Sequence, residues 1–170
     1  MTLAISPLSE AAVEAVCALA VTVWRHHYPG IIGTAQTEYM LAQRYEPHLI
    51  CAELATRDLW WDVLREGEAL VAFASSFVAD PRKTMKLDKL YVHPEKQRRG
   101  YGGALIDHTC ERAKQLGFAG VILAVNKHNT AAIGAYRKYG FEIRESVVKE
   151  IGGGFVMDDY IMERRLDKAA

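Results

Sequence analysis

Net charge is missing from this sequence: 21 lysines and arginines balance 21 aspartates and glutamates over 170 residues. Proteins that bind nucleic acid non-specifically rely on excess positive charge, so a zero balance argues against a nucleic-acid partner and confines any basic site to a local patch. Cysteine is scarce too. Cys17, Cys51 and Cys110 lie far apart and form no Cys-x-x-Cys pair, so they read as buried thiols in a reducing cytoplasm. No apolar run approaches transmembrane length, and the first residues lack the basic stretch and apolar core of a signal peptide. The expectation is therefore no membrane partner. Repeats, low-complexity tracts and linker-like stretches are absent as well. With half its residues apolar and a quarter charged, the chain reads as a single domain over 1–170.

What is present centres on Leu90–Leu105. An apolar, β-forming run ends at Pro94, a charged segment with Gly100, Gly102 and Gly103 follows, and an apolar periodicity begins at Ala104. This reads as strand, glycine-rich turn and helix N-terminus. The first N–H groups of a helix have no intrahelical partner, and the helix dipole adds partial positive charge there. With the forked donors of Arg98 and Arg99 alongside, the turn suits a phosphate or pyrophosphate. It is not a Walker A loop, because no Gly-Lys-Ser/Thr follows, and it is not a dinucleotide fingerprint, because Leu105 occupies the third glycine position.

Elsewhere, Thr2–Ser6 reads as a strand stopped at Pro7, and Ser9 as the N-cap of a helix over 10–24 with Val13, Val16, Cys17, Ala20 and Val23 on one face. Arg25–Gly30 breaks it. Thr34 caps a helix over 35–44, and Pro47 opens another to about Ala55. Three strands follow, over 59–64, 69–78 and 85–92, with turns at Glu66-Gly67 and 80–83. Then come a helix over 103–116, an apolar strand over 121–125 expected to be covered on both faces, and a helix from Asn129 or Thr130 to Tyr139 closed by Gly140. Strands over 141–149 and 155–166 flank a turn at Gly152-Gly153-Gly154. The fold class is α/β: a mixed, mostly antiparallel sheet of about seven strands flanked by helices.

Gln97-Arg98-Arg99-Gly100-Tyr101-Gly102 resembles the Gln/Arg-x-x-Gly-x-Gly/Ala loop of the GNAT superfamily of N-acetyltransferases. Asn129-Thr130-Ala131-Ala132, with Tyr136 and Gly140-Phe141, resembles the second half of the same core, and Tyr160–Leu166 resembles its last strand more loosely. The resemblance implies the GNAT acyltransferase fold, with acetyl-CoA as cosubstrate and no metal. Main-chain N–H groups of Arg98, Arg99, Gly100, Tyr101, Gly102 and Gly103 would hold the pyrophosphate. Leu90, Tyr91 and Val92 would present main-chain groups to the pantetheine arm, with Gln97, Asn129 and Ala132 completing the cofactor contacts. Asn129 also serves as a helix N-cap, and the two roles are compatible. Tyr136 would bind the cofactor sulfur and protonate the departing thiolate, while a core tyrosine is the alternative.

An amine with an ordinary value near ~10.4 must lose a proton before it attacks. Asp88 is the candidate acceptor, sharing a strand face with Leu90 and Val92; a salt bridge with Lys86 or Lys89 is the alternative reading. Lys86 occupies the position where histone-type members carry a catalytic Glu, which weakens a histone-acetylating reading. His27 and Tyr28, with His26 and the Trp60-Trp61 pair, are candidates for lining the acceptor site, and Asp158, Asp159 and Tyr160 for attracting a cation, with solvated acids in a hairpin the alternative. Adjacent histidines lack metal-ligand spacing. The function expected is transfer of an acetyl group by direct amine attack on the thioester. A small amine or polyamine is the expected acceptor. The alternatives are a protein or peptide amine, or a non-catalytic acyl-CoA-binding module on the same fold. Homodimers are common in the family, so a second copy is among the partners the resemblance allows.

Overall fold

A computed structural model describes residues 2–81 and 83–167, so Arg82 of the 80–83 turn lies outside the described residues. In chain order the elements are β1 (Leu3–Pro7), α1 (Val13–His27), α2 (Pro29–Ile32), α3 (Thr34–Arg44), α4 (Pro47–Leu54), β2 (Leu59–Glu66), β3 (Ala69–Asp80), β4 (Thr84–Val92), α5 (Tyr101–Gln115), β5 (Gly120–Asn126), α6 (Thr130–Lys138), β6 (Glu142–Gly152) and β7 (Phe155–Arg165). The strands form a seven-stranded sheet in the order β1-β2-β3-β4-β5-β7-β6. Pairs β1–β2, β2–β3, β5–β7 and β6–β7 are antiparallel. Pair β4–β5 is parallel, and α5 supplies the crossover such a pair requires. This is the mixed sheet flanked by helices that the sequence predicts. The chain divides into two compact units: one runs up to Phe77 and adds Lys89–Leu105, the other comprises Val78–Asp88 and the chain from Ile106 onward.

In the first unit, α1 buries Val13, Val16, Ala20 and Val23, as its apolar spacing dictates, together with Trp24. The helix departs from expectation at both ends. Ser9 makes no side-chain cap; a 3-10 turn over Glu10–Ala12 leads in, with Ala12 N donating to Ser9 O at 3.0 Å. At the far end the helix does not break at Arg25 but runs to His27. Basic side chains suit a helix C-terminus, and the actual stop is Pro29-Gly30, which opens the single turn α2. Thr34 is the first residue of α3 rather than its cap. Pro7 is the last residue of β1, a position that an edge strand tolerates. β2 continues through Glu66, so the hairpin turn is Gly67-Glu68 and Glu66 points inward, 6% exposed. Opposite it, Leu64 pairs with Ala72 and Arg65 with Leu70, which leaves Val71 as an extra, bulged residue of β3. Trp61 is buried and Trp60 only partly so, the alternation expected of a strand; Trp61 Nε1 donates to Glu53 Oε2 at 2.8 Å, tying α4 to β2.

In the second unit, Ile106, Cys110 and Ala113 of α5 are buried, and Leu123 of β5 lies opposite Met162 of β7 in the core. The expectation that β5 is covered on both faces fails. Val121, Leu123 and Val125 are buried while Ile122 and Ala124 are half-buried, so an all-apolar strand has one incompletely covered face. Phe141 precedes β6 instead of opening it and is 1% exposed.

Candidate active site

In the first unit the chain between β4 and α5 is fixed at both ends. His93 N donates to Val71 O at 2.8 Å, and Glu95 N donates to His93 Nδ1 at 3.1 Å. The Gln97 side-chain amide donates to Val92 O at 3.3 Å, which leaves that carbonyl one further lone pair. Arg98 and Gly100 follow with φ of +63° and +82°. Glycine adopts that conformation without penalty, whereas for arginine it costs about 1–2 kcal/mol, so the surrounding contacts must hold the turn.

Helix α5 begins at Tyr101, two residues before the expected start, so Tyr101, Gly102 and Gly103 form its first turn. Ala104 N donates to Gly100 O at 3.0 Å, and the N–H groups of the three residues before it fall outside the helical ladder. They form a main-chain donor surface at the positive end of a fifteen-residue helix.

The turn is anchored by Glu66, which reads from sequence as a hairpin-turn residue with no role of its own. Tyr101 Oη donates to Glu66 Oε2, Lys96 Nζ donates to Oε1 at 3.0 Å, and Arg99 Nη1 stands 3.8 Å from Oε2. The Tyr101 hydroxyl, then the Lys96 ammonium, hold the Glu66 carboxyl below the usual carboxylate range. Reciprocally, the carboxylate raises the Tyr101 phenol. Lys96, Arg98 and Arg99 outnumber Glu66 and Glu95, so positive charge remains for an anion. Tyr101 therefore turns its side chain inward and offers only its N–H to a ligand.

Gly102 tests whether the turn has room for a pyrophosphate. Its φ is not positive, and an added Cβ would meet only Val92 Cγ2, at 3.8 Å. Neither backbone nor packing demands glycine here, whereas a ligand drawn up to the N–H groups would. Gly102→Ala is expected to leave thermal stability unchanged or slightly raised, since alanine is the better helix former. Its dissociation constant for coenzyme A should rise about tenfold, because the methyl lies where the ligand approaches the main chain. Calorimetric titration beside a melting curve checks both signs.

Tyr28, a candidate acceptor-lining residue, meets Tyr91, a candidate cofactor-binding one: their hydroxyls are 3.0 Å apart. The Tyr28 ring packs at 4.3 Å on Trp24, and His27 stands edge-on to Tyr28 at 5.1 Å, in the last turn of α1 rather than in a loop. Tyr91 also contacts Phe73, with centroids 5.8 Å apart. Its side chain thus belongs to an aromatic cluster, and its only offer to a cofactor is main chain. Burial, with Tyr28 next, pushes the Tyr91 hydroxyl well above the ordinary phenol range, so it stays protonated and cannot serve as a base. Lys89, 4% exposed, lies 3.7 Å from Glu53 and 5.3 Å from the Trp61 ring centroid.

The second unit holds the remaining candidates. Asn129 is the N-cap of α6, as predicted: Ala132 N donates to its Oδ1 at 3.4 Å. That contact occupies the Ala132 N–H. Tyr136, two turns on, is half-buried with its ring 5.9 Å from Phe141. On β4 the parallel register with β5 covers Thr84, Met85 and Lys86, and Asp88 stands two residues beyond the last pair. Lys86 Nζ is 4.0 Å from Asp88 Oδ1. Asp158 and Asp159 lie within β7. Asp158 pairs with Lys127 at 2.6 Å, so its charge is matched; Asp159 is 4% exposed within β7. Burial pushes the Cys17 and Cys110 thiols up to about 11, which makes them poor nucleophiles at neutral pH. Among the described residues no group of three or more His, Cys, Asp or Glu could hold a metal, and no helix is long and apolar enough to cross a membrane.

Comparison with known proteins follows the same lines. A family model described as acetyltransferase (GNAT) family matches residues 21–141. An uncharacterized N-acetyltransferase of Methanocaldococcus jannaschii is 37% identical over 68 residues, 40% of this chain and 30% of that protein. The ribosomal protein bS18-alanine N-acetyltransferase of Escherichia coli is 35% identical over 78 residues, 46% of this chain and 51% of that protein. The matched stretches thus span from under a third to about half of these curated relatives. In fold, the chain is similar to the PaiA N-acetyltransferase of Thermoplasma acidophilum, solved in complex with coenzyme A. The TM-score is 0.83 at 22% identity, over 98% of this chain and 100% of the other.

Proposed function

The chain belongs to the acetyltransferase (GNAT) family, and from that premise we propose that it transfers an acetyl group from acetyl-CoA to a primary amine. The family match runs through both compact units, which supports reading them as one functional domain. The observation that carries the reading is the donor turn itself: left-handed backbone at Arg98 and Gly100, unladdered N–H groups from Tyr101 to Gly103, and a buried carboxylate fixing their side chains. Such a turn suits the pyrophosphate of coenzyme A. Main chain at Leu90 and Val92 would bind the pantetheine amides, and the Asn129 amide the cofactor arm.

The amine attacks the thioester carbonyl directly, the carbon–sulfur bond breaks, and Tyr136 delivers a proton to the sulfur. Buried, raised thiols at Cys17 and Cys110 support this route over a cysteine-borne acyl group. Asp88 takes the proton that the amine sheds. Asp88→Asn is expected to lower kcat/KM about tenfold at neutral pH. The deficit should narrow as pH approaches the amine's own value near ~10.4, where the substrate deprotonates unaided. A pH–rate profile identical to that of the unmodified enzyme removes Asp88 from the mechanism.

A small amine or polyamine is the acceptor we favour, since Asp88 places a carboxylate on the strand that carries Leu90 and Val92, although Lys86 stands 4.0 Å from it and Lys127 matches Asp158. A second reading, a protein N-terminal amine, draws on the Escherichia coli relative, whose name gives a ribosomal-protein alanine as its target. Thiol release from acetyl-CoA, measured across small amines, polyamines, amino acids and a peptide beginning with alanine, separates these readings. Release with polyamines supports the first and release with the peptide alone the second. Binding of coenzyme A without release for any amine would make the chain a non-catalytic module.

A further inference from the structure

Asp88 shares its strand face with a second charge. Lys86 precedes it by two residues on β4, and Lys86 Nζ stands 4.0 Å from Asp88 Oδ1. At that separation the two atoms attract without sharing a hydrogen bond, so they form a loose pair that a ligand can part. Both side chains are partly exposed. Lys86 lies opposite Ile122 and is the last β4 residue in the parallel ladder with β5, so the pair stands where these two strands separate. The face it shares with Ile122 is apolar and incompletely covered: Ile122 and Ala124 of β5 are half-buried, and so is Ile161 of β7, opposite Ala124. Helix α5 is tied to the other face, where Arg164, opposite Val121, meets Asp107 at 3.3 Å. Glu163, opposite Ile122, is taken up by Arg144 at 3.2 Å. An accessible pair of opposite charges therefore borders an aliphatic surface.

On the reading of Asp88 as proton acceptor, we propose that the acceptor is an aliphatic α-amino acid: Asp88 receives its ammonium, Lys86 its carboxylate, and Ile122, Ala124 and Ile161 its side chain. The small amine is thereby narrowed to one that carries its own anion. An ammonium docked on Asp88 draws that carboxylate away from Lys86, and the substrate's carboxylate takes its place, so charges of alternating sign stand in line. A polyamine offers Lys86 only like charge. Residues two apart on one strand face have Cβ atoms roughly 6–7 Å apart, so the two heads can grip charges on adjacent carbons but not charges at the ends of a long chain. The aliphatic floor beside them suits a branched hydrocarbon side chain and gives a charged one nothing to pair with.

Thiol release from acetyl-CoA with matched acceptors tests the proposal. The unmodified enzyme prefers leucine to isoamylamine, the same molecule without its carboxylate, by about tenfold in kcat/KM, and prefers it to leucinamide and ε-aminocaproate as well. Lys86→Met abolishes that preference, chiefly through the KM for leucine, while Lys86→Arg keeps it. Lys86→Glu turns the preference toward ethylenediamine, whose second ammonium the new carboxylate receives. The KM for acetyl-CoA stays where it is in all three variants, which separates a contact with the acceptor from a fault in the fold. An unmodified enzyme that turns over isoamylamine as well as leucine overturns the proposal, and so does a Lys86→Met enzyme that still prefers leucine; in both cases acetyl transfer itself stands. No release with any amine, although coenzyme A binds, defeats the acetyl-transfer reading and the amino-acid acceptor with it.

Discussion

Tyr136→Phe lowers kcat about a hundredfold and leaves acetyl-CoA affinity within about twofold of the unmodified enzyme. The figure lies at the low end of general acid catalysis for a chemical reason: the leaving group is a thiolate, whose ordinary value near ~8.5 makes it a stable anion that needs only partial help. The fold is expected to survive, because phenylalanine keeps the ring that stands edge-on to Phe141 at 5.9 Å and loses only the hydroxyl. Steady-state thiol release gives kcat, and calorimetric titration with coenzyme A gives affinity. Unmodified turnover in this variant would return Tyr136 to a packing role.

Glu66→Gln produces the second large effect, through acetyl-CoA affinity rather than turnover. The amide can still accept from Tyr101, but it cannot match the charges of Lys96 and Arg99, and the strained Arg98 backbone loses its support. The dissociation constant for coenzyme A is expected to rise about ten- to a hundredfold, as for loss of charge-assisted hydrogen bonds. The pH dependence has a definite sign. The folded protein holds the Glu66 carboxyl lower than the unfolded chain does, so its stabilisation is complete above the ordinary carboxylate range. It is lost as pH falls through the lowered value. Affinity in the unmodified protein should therefore hold from neutral to mildly acidic pH and then fall, while the Glu66→Gln variant, already weak, stays level across that window. Parallel profiles in the two proteins would separate Glu66 from the turn.

The parts of this fold that read directly from sequence are those whose cause is local. Gly100 takes a backbone shape that other residues resist, Asn129 caps the N–H three residues on, and Val16 and Ala20 recur at helical spacing; each signal lies within a few residues of its effect. What stayed hidden depends on distance. Glu66 meets Lys96 thirty residues further on, and a glutamate before a glycine looks like any turn until its strand is paired. The run Val121–Val125 hid the open face at Ile122 and Ala124, because uniform apolarity carries no record of which side is covered. Helix α1 outran its expected end since arginine and histidine do not stop a helix; Pro29 does.

Val71 has a bearing on how this scaffold tolerates change. As the residue without an opposite number in β2, it gives its carbonyl to His93, the first residue after β4. A deletion there would put the hairpin back into simple step, deprive His93 of its acceptor, and invert the facing of Ala69 and Leu70 opposite Glu66 and Arg65. Lengthening the Gly67-Glu68 connection would disturb none of this. A chain redesigned for other acceptors can be cut and spliced at that connection, while the odd residue in β3 is the one to leave in place.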